Sequence, residues 1–122
     1  MAERIRAIRG ATTLDEDTKD QVIDRTGDLL QAIFDRNRIE KADVVSMIFT
    51  ATGDVRAEFP AAAARQIGLS HVPLLCAREL DVQDGVPLCI RVMIHVYLDV
   101  EPGEIRHVYL ERAKPLRADL PQ

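Results

Sequence analysis

The residues of this chain that could do chemistry are mainly arginines, accompanied by a glutamate and a tyrosine. They are spread along the sequence and form no short motif: Arg9, Arg65, Glu79, Arg91, Tyr109 and Arg117. Arginine keeps its charge at every physiological pH, and its planar fork matches the geometry of a carboxylate. If the fold brings several of these side chains together, they predict a binding site for a small anion.

Arg91 is the most informative of these residues because it lies among aliphatic neighbours in a predicted strand. A buried charge without a partner is very costly, so this guanidinium needs one. Two explanations are open: a structural ion pair with a carboxylate such as Glu79 or Glu111, or the binding of a ligand anion. Spacing alone favours neither.

Other chemistries have weaker support in the sequence. No GxxxxGK[ST], GxGxxG, HExxH or CxxC pattern is present, so the common phosphate, dinucleotide and zinc signatures are absent. The three histidines, His71, His95 and His107, are too scattered to predict a metal site. A Cys–His nucleophile pair is conceivable with Cys76 or Cys89, but a buried cysteine is more often an inert packing residue. We therefore expect no metal and no cofactor.

Hydrophobic periodicity predicts the order β-α-β-α-β-β-β, which is typical of an α+β fold with a mixed sheet and helices on one face. The acidic segment Asp15–Thr18 favours a helix N-terminus, and apolar residues at helical spacing extend that helix to about Asn37. Pro60 and Gly68 enclose a short second helix over 61–67. Strands are predicted over 4–12, 44–51, 72–77, 89–100 and 105–113.

The strand over 89–100 has two very different faces. One face is purely aliphatic and should carry the helices. The other face is too apolar for open water and too polar for an ordinary core; it consists of Cys89, Arg91, Met93, His95 and Tyr97. We infer that this face meets another subunit or lines a ligand site at a subunit boundary, which predicts a homo-oligomer.

The length of 122 residues suits a single domain over 1–122. The net charge of -4 and the pI of about 5.3 argue against a nucleic-acid partner, because such domains usually carry a basic surface. No run approaches the ~18 apolar residues of a membrane span, and the charged N-terminus lacks the apolar region of a signal peptide. Together with two cysteines read as free thiols, these features predict a cytoplasmic protein without a membrane partner.

Five segments follow one another along the chain: residues 8–13 (IRGATT), 59–61 (FPA), 76–82 (CARELDV), 89–93 (CIRVM) and 105–111 (IRHVYLE). Together they resemble the monofunctional, trimeric α/β class of chorismate mutases. The resemblance runs from Ile5 to Asp119 and implies a ferredoxin-like or chorismate-mutase-like subunit. It also implies a homotrimer that forms a pseudo-α/β barrel, with active sites at the subunit interfaces.

The same resemblance implies roles for individual residues. Arg9 and Tyr109 would bind the enolpyruvyl carboxylate of chorismate, and Arg91 would contact that carboxylate and the ether oxygen. Glu79 and the Cys76 region would hold the ring hydroxyl. Arg91, Arg9, Glu79 and Tyr109 are therefore the expected catalytic residues.

Further residues are expected around the substrate. Phe59 and Arg65 would come from the adjacent subunit and close the pocket. Leu116 and Arg117 would belong to a mobile C-terminal tail over 114–122 that covers it. The complete set of expected substrate-binding residues is Phe59, Ala61, Arg65, Leu75, Cys76, Leu116 and Arg117.

The implied activity is the rearrangement of chorismate to prephenate, an isomerase reaction of phenylalanine and tyrosine biosynthesis. One C–O bond breaks while a C–C bond forms, and no proton has to move, so the reaction requires no nucleophile, general base or metal. Conformational restriction and a cation at the ether oxygen suffice to speed it. Two alternatives stay open: a trimeric imine or enamine deaminase-like enzyme, and a non-catalytic trimer that binds an aromatic-pathway acid.

Overall fold

The computed structural model describes residues 4–122 as one five-stranded mixed sheet with two α-helices. Residues 1–3 lie outside the described part. They belong to the predicted single domain and to the N-terminus for which no signal peptide was predicted. The strands follow the order β3-β2-β4-β1-β5, with β1/β5 and β2/β3 parallel and the other neighbours antiparallel. The elements are β1 Ile5–Thr13, α1 Lys19–Asn37, β2 Val44–Ala51, α2 Ala61–Gln66, β3 Leu74–Arg78, β4 Cys89–Tyr97 and β5 Val108–Tyr109.

Helix α1 begins and ends as its sequence predicts. The Thr18 side chain caps it by accepting a hydrogen bond from the backbone N–H of Gln21 at 3.2 Å. At the other end Arg38 adopts a left-handed conformation, φ 54°, and its N–H donates to the carbonyl of Phe34. The buried stripe of α1 joins residues of α2 and of the sheet in one hydrophobic core.

Strand β4 lies in the middle of the sheet, between β1 and β2, and shows the predicted alternation. Its aliphatic side chains are fully or almost fully buried in the described residues and face the helical layer: Ile90, Val92, Ile94 and Val96. The predicted α+β class, with helices on one face of a mixed sheet, is confirmed.

The opposite side of the sheet, which we call the open face, is only partly buried. Large apolar side chains are exposed on it, including Leu75 at 60% and Ile5 at 50%. Exposed apolar surface of this kind is typical of an interaction surface. Strand pairing assigns to this face Ile5, Ala7, Arg9, Ser46, Ile48, Thr50, Leu75, Arg91, Met93, His95 and Tyr97.

The predicted final strand over 105–113 is wrong in extent, because only Val108–Tyr109 pairs as a strand. Before it, the Asn37 side chain makes two hydrogen bonds of 2.8 Å with the backbone of Arg106. It donates to the carbonyl of Arg106 and accepts from its N–H. After it, Glu111 adopts φ 52° and starts a short 3-10 turn. Three other strands differ from their predicted ranges. The range 4–12 becomes Ile5–Thr13, 72–77 becomes Leu74–Arg78, and 89–100 becomes Cys89–Tyr97.

The C-terminal residues 114–122 form turns that contact the rest of the chain. The backbone N–H of His107 donates to the carbonyl of Pro121 at 2.8 Å, and that of Leu120 donates to Arg117 at 3.0 Å. The mobility of this tail stays a prediction. Within residues 4–122, neither helix has the length and apolar character that crossing a bilayer requires.

Two glycines provide a test of the packing between α1 and the sheet. A Cβ on Gly10 would lie 2.8 Å from Ile33 Cδ1 and 3.0 Å from the carbonyl oxygen of Val108, whereas one on Gly27 would meet no atom within 4 Å. We therefore expect Gly10→Ala to lower the free energy of unfolding by roughly 1–3 kcal/mol through overpacking. Gly27→Ala should raise it by about 0.5–1 kcal/mol because alanine is the better helix former.

Urea unfolding of both variants beside the unmodified chain measures these changes. Gly27→Ala is the matched control, since it adds the same methyl group at an open position of α1. Unfolding midpoints that move together in the two variants would contradict the close approach of α1 to β1.

Candidate active site

Three of the four expected catalytic side chains meet in one pocket on the open face. This pocket has a volume of about 230 Å³. Strand pairing explains the meeting, because Arg9 lies opposite Met93 on β4 and Arg91 lies opposite Thr50 on β2. Glu79 follows β3 directly, and its N–H donates to the carbonyl of Ala51 at 2.9 Å. The pocket is lined by Arg9, Ile48, Thr50, Glu79, Arg91, Val92 and Met93.

Arg91 has a carboxylate neighbour but not a full set of hydrogen bonds. Its Nε lies 3.6 Å from Glu79 Oε2 and has no hydrogen-bond partner among the described residues. The same Oε2 accepts a 2.6 Å hydrogen bond from Thr50 Oγ1. The other proposed partner, Glu111, lies 3.7 Å from Arg25 instead. The structural pair with Glu79 is therefore present, yet a buried Arg91 donor still lacks an acceptor, which favours a ligand oxygen in this pocket.

Tyr109 is 3% exposed, and its hydroxyl also has no hydrogen-bond partner among residues 4–122. Burial raises the pKa of this phenol, while the positive charges of Arg9, Arg117 and Arg91 act in the opposite direction. The three guanidinium groups come from β1, the C-terminal tail and β4. At neutral pH the hydroxyl stays protonated, so it is a free donor close to a concentration of positive charge.

The C-terminal tail packs beside Tyr109. Leu116 contacts the small hydrophobic cluster that contains Ala11, Cys89 and Tyr109. The guanidinium of Arg117 forms two hydrogen bonds with the carboxylate of Asp119, at 3.0 and 3.1 Å. The two expected tail residues thus lie near the expected catalytic tyrosine.

The other expected substrate-binding residues do not line this pocket. Phe59, 65% exposed, and Cys76 line a second pocket of about 340 Å³. Leu75 is exposed on the open face, and Arg65 is exposed on α2. Ala61 is buried in the core at the start of α2, so only its backbone could meet a ligand.

Both cysteines pack against hydrophobic clusters. Burial raises the pKa of the Cys89 thiol, against the opposing charge of Arg91, and this disfavours the thiolate that a nucleophile needs. Cys76 packs against the main hydrophobic core. Among residues 4–122, no three His, Cys, Asp or Glu side chains are grouped so that they could hold a metal ion.

Two polar residues at the site, Thr50 and His107, were not among the site residues that the sequence analysis expected. Thr50 faces Arg91 and donates to Glu79, but this follows only from the register of β2 against β4. His107 accepts the backbone N–H of Arg9 on its Nδ1 at 2.9 Å. Its position immediately before Val108 in the predicted last strand gave no sign of that contact.

Comparisons with known proteins agree over almost the full chain. The family model described as chorismate mutase type I matches residues 5–120. Chorismate mutase AroH of Bacillus subtilis (strain 168) is 47% identical over 117 residues, which cover 95% of this chain and 92% of that protein. Chorismate mutase AroH of Thermus thermophilus is 44% identical over 117 residues, covering 95% and 96% respectively. The solved structure of a chorismate mutase from Clostridium thermocellum superposes with a TM-score of 0.89 at 45% identity, covering 91% of this chain and 99% of that one.

Proposed function

The chain belongs to the chorismate mutase type I family, and we propose that Arg9, Glu79, Arg91 and Tyr109 are the residues with which it converts chorismate to prephenate. It is an isomerase of aromatic amino acid biosynthesis, as the resemblance implied. The comparisons favour this activity over the deaminase-like and non-catalytic alternatives. Loss of chorismate with formation of prephenate tests the assignment, and binding without turnover would contradict it.

One observation supports these residue roles most strongly. The Nε of Arg91, in the 230 Å³ pocket, has no hydrogen-bond partner among the described residues. As the C–O bond of chorismate opens, negative charge develops on the ether oxygen. A fixed guanidinium at that oxygen stabilises the transition state more than the substrate, and it needs no reorganisation during the reaction. Because the fork of arginine has several donors, Arg91 can contact the ether oxygen and a carboxylate oxygen together.

Arg9 and Tyr109 would supply the second contribution, which is conformational. Both lie close to Arg91, and the Tyr109 hydroxyl is an unpartnered donor among the described residues. If they hold the enolpyruvyl carboxylate, the side chain of the substrate stays folded over its ring. Holding the reacting carbons in this compact arrangement removes the entropic part of the barrier.

Glu79 would act as an acceptor for the ring hydroxyl and not as a base. We expect Glu79→Ala to lower kcat/KM by roughly tenfold or more, because a ligand hydroxyl and the Thr50 hydroxyl both lose their acceptor. Glu79→Gln keeps a carbonyl oxygen at this position and should lose less. Steady-state kinetics of both variants measures the difference.

A solvent isotope effect provides the control for this prediction. The rearrangement moves no proton, so turnover in heavy water should be almost as fast as in light water. An effect large enough to indicate a proton in flight would show that Glu79 works as a general base.

We further propose that the protein is a homotrimer with its active sites at the subunit interfaces. Two features support this: the apolar side chains exposed on the open face, and the position of Phe59 and Arg65 away from the pocket of their own subunit. In an assembly that covers the open face, these residues would complete the pocket of a neighbour. We also propose that residues 1–122 form a single domain and that the protein binds chorismate in the cytoplasm.

A further inference from the structure

His107 contacts the strand that carries Arg9 through its imidazole and the C-terminal tail through its backbone. Its Nδ1 accepts the backbone N–H of Arg9 at 2.9 Å, and its own backbone N–H donates to the carbonyl of Pro121 at 2.8 Å. One residue thus connects an expected catalytic arginine on β1 to the tail that carries Arg117. The side chain is 8% exposed, so water does not readily replace either bond.

The ring takes the place of a missing backbone acceptor. Strands β1 and β5 pair in parallel only at Gly10 with Val108 and Ala11 with Tyr109. The carbonyl of Arg106, two residues before Val108, would be the next acceptor of this ladder, but it accepts from the Asn37 side chain instead. The Arg9 N–H therefore depends on the imidazole to continue the ladder by one hydrogen bond.

We propose that His107 is a positioning residue whose unprotonated Nδ1 holds the main chain of Arg9 in place, so that the Arg9 guanidinium reaches the substrate carboxylate, and that protonation of the ring releases it. This inference rests on the proposed function, because Arg9 matters only if the pocket binds that carboxylate. A protonated imidazole has two donors and no acceptor, so its Nδ1–H would face the N–H of Arg9. The contact would then become repulsive.

The surroundings of His107 set the pH at which this change occurs. Burial lowers its pKa below the usual 6.5, and the charges of Arg9 on β1 and Arg117 in the tail lower it further. Asn37 of α1, which holds the neighbouring backbone, is neutral, and Tyr109 on β5 is protonated at these pH values. Because the pKa of the ring is depressed by folding, the neutral ring predominates at pH 7. The positioning is lost only as the pH falls through that lowered pKa.

Two substitutions separate positioning from simple packing. His107→Asn places a carbonyl oxygen close to the position of Nδ1 and does not titrate, whereas His107→Leu fills the space without an acceptor. We expect His107→Leu to raise KM for chorismate by about fivefold at pH 7.5, which corresponds to one hydrogen bond. His107→Asn should keep a KM close to that of the unmodified chain, and its kcat/KM should fall less steeply below pH 6. The matched control is His71→Asn, because His71 is exposed and should leave the pH profile unchanged.

Equal impairment of the Asn and Leu variants, or an unchanged KM and pH profile in both, would overturn the proposal. Nitrogen NMR of the imidazole in the unmodified protein gives a second readout that needs no activity and no variant. At pH 7 the Nδ1 of His107 should be unprotonated, and the Arg9 amide signal should shift as that nitrogen titrates; a proton on Nδ1 at pH 7 would refute the proposal. If the protein fails to consume chorismate, the proposed function fails, and the NMR titration still decides the His107–Arg9 contact.

Discussion

Arg91→Ala is expected to lower kcat by about 10²–10³-fold or more, with the largest loss of any single substitution in this chain. The guanidinium would act in the transition state, at the oxygen that becomes negative as the C–O bond opens, so its removal should affect kcat more than KM. Arg91→Lys keeps the charge but loses the fork that reaches two oxygens together, and it should also be strongly impaired. Steady-state kinetics of each variant measures this.

The control for Arg91 is Arg36→Ala, which removes an exposed arginine at the last turn of α1, far from the pocket in sequence and outside its lining. That variant should keep a kcat close to that of the unmodified chain. Each variant must also show the same oligomeric state by sedimentation. A kcat near that of the unmodified chain for correctly folded Arg91→Ala protein would show that Arg91 has no part in the mechanism.

Mixing two inactive variants should restore activity if the pocket is shared between subunits. Arg91 lines the pocket of its own subunit, whereas Arg65 is exposed on α2 and is proposed to complete the pocket of a neighbour. Arg91→Ala and Arg65→Ala should each be poorly active alone. After dissociation and random reassembly of an equal mixture, about a quarter of the interfaces would combine an intact Arg91 with an intact Arg65. The measurement compares the kcat of the mixture with the mean of the kcat values of the two separate variants.

A second mixture provides the control. Arg9 and Arg91 line the same pocket of the same subunit, so a mixture of Arg9→Ala with Arg91→Ala contains no intact pocket and should stay inactive. Activity in the first mixture that does not exceed the mean of its components would contradict the shared site. Recovery in the second mixture would contradict the assignment of Arg9 and Arg91 to one subunit.

The parts of the fold that sequence reasoning predicts well are those determined by local patterns. The alternation in β4 identifies its buried aliphatic face, and Ile90 and Ile94 are indeed fully buried. Thr18 and the acidic segment before it predict the start of α1, which the structure confirms with the cap to Gln21. In both cases the periodicity or the capping chemistry lies within a few residues of chain.

The short last strand shows where local patterns fail. Residues 105–113 have strand-like composition, but the backbone of Arg106 is bound by the Asn37 side chain from the end of α1. That contact joins positions 69 residues apart, so no local window could predict it. The same applies to Thr50, whose place opposite Arg91 depends on the register between β2 and β4.

The expected catalytic residues came from the family resemblance and not from spacing. Spacing left Arg91 equally open to a structural pair and to ligand binding. The structure adds a distance, 3.6 Å from Arg91 Nε to Glu79, and an unsatisfied donor, which together favour a ligand. The contact of His107 with the Arg9 backbone could not be predicted from the sequence, because it depends on where β5 begins.

The most direct test of the account is to mix the purified protein with chorismate in the presence of EDTA and follow the ultraviolet absorbance of chorismate while assaying prephenate. Arg91→Ala protein at the same concentration serves as the blank. We predict rapid conversion by the unmodified chain, unchanged by EDTA, and a rate at least about 10²-fold lower in the Arg91→Ala protein. A folded protein that leaves chorismate unconverted, or an Arg91→Ala blank that converts it equally fast, would contradict catalysis by the Arg91 pocket.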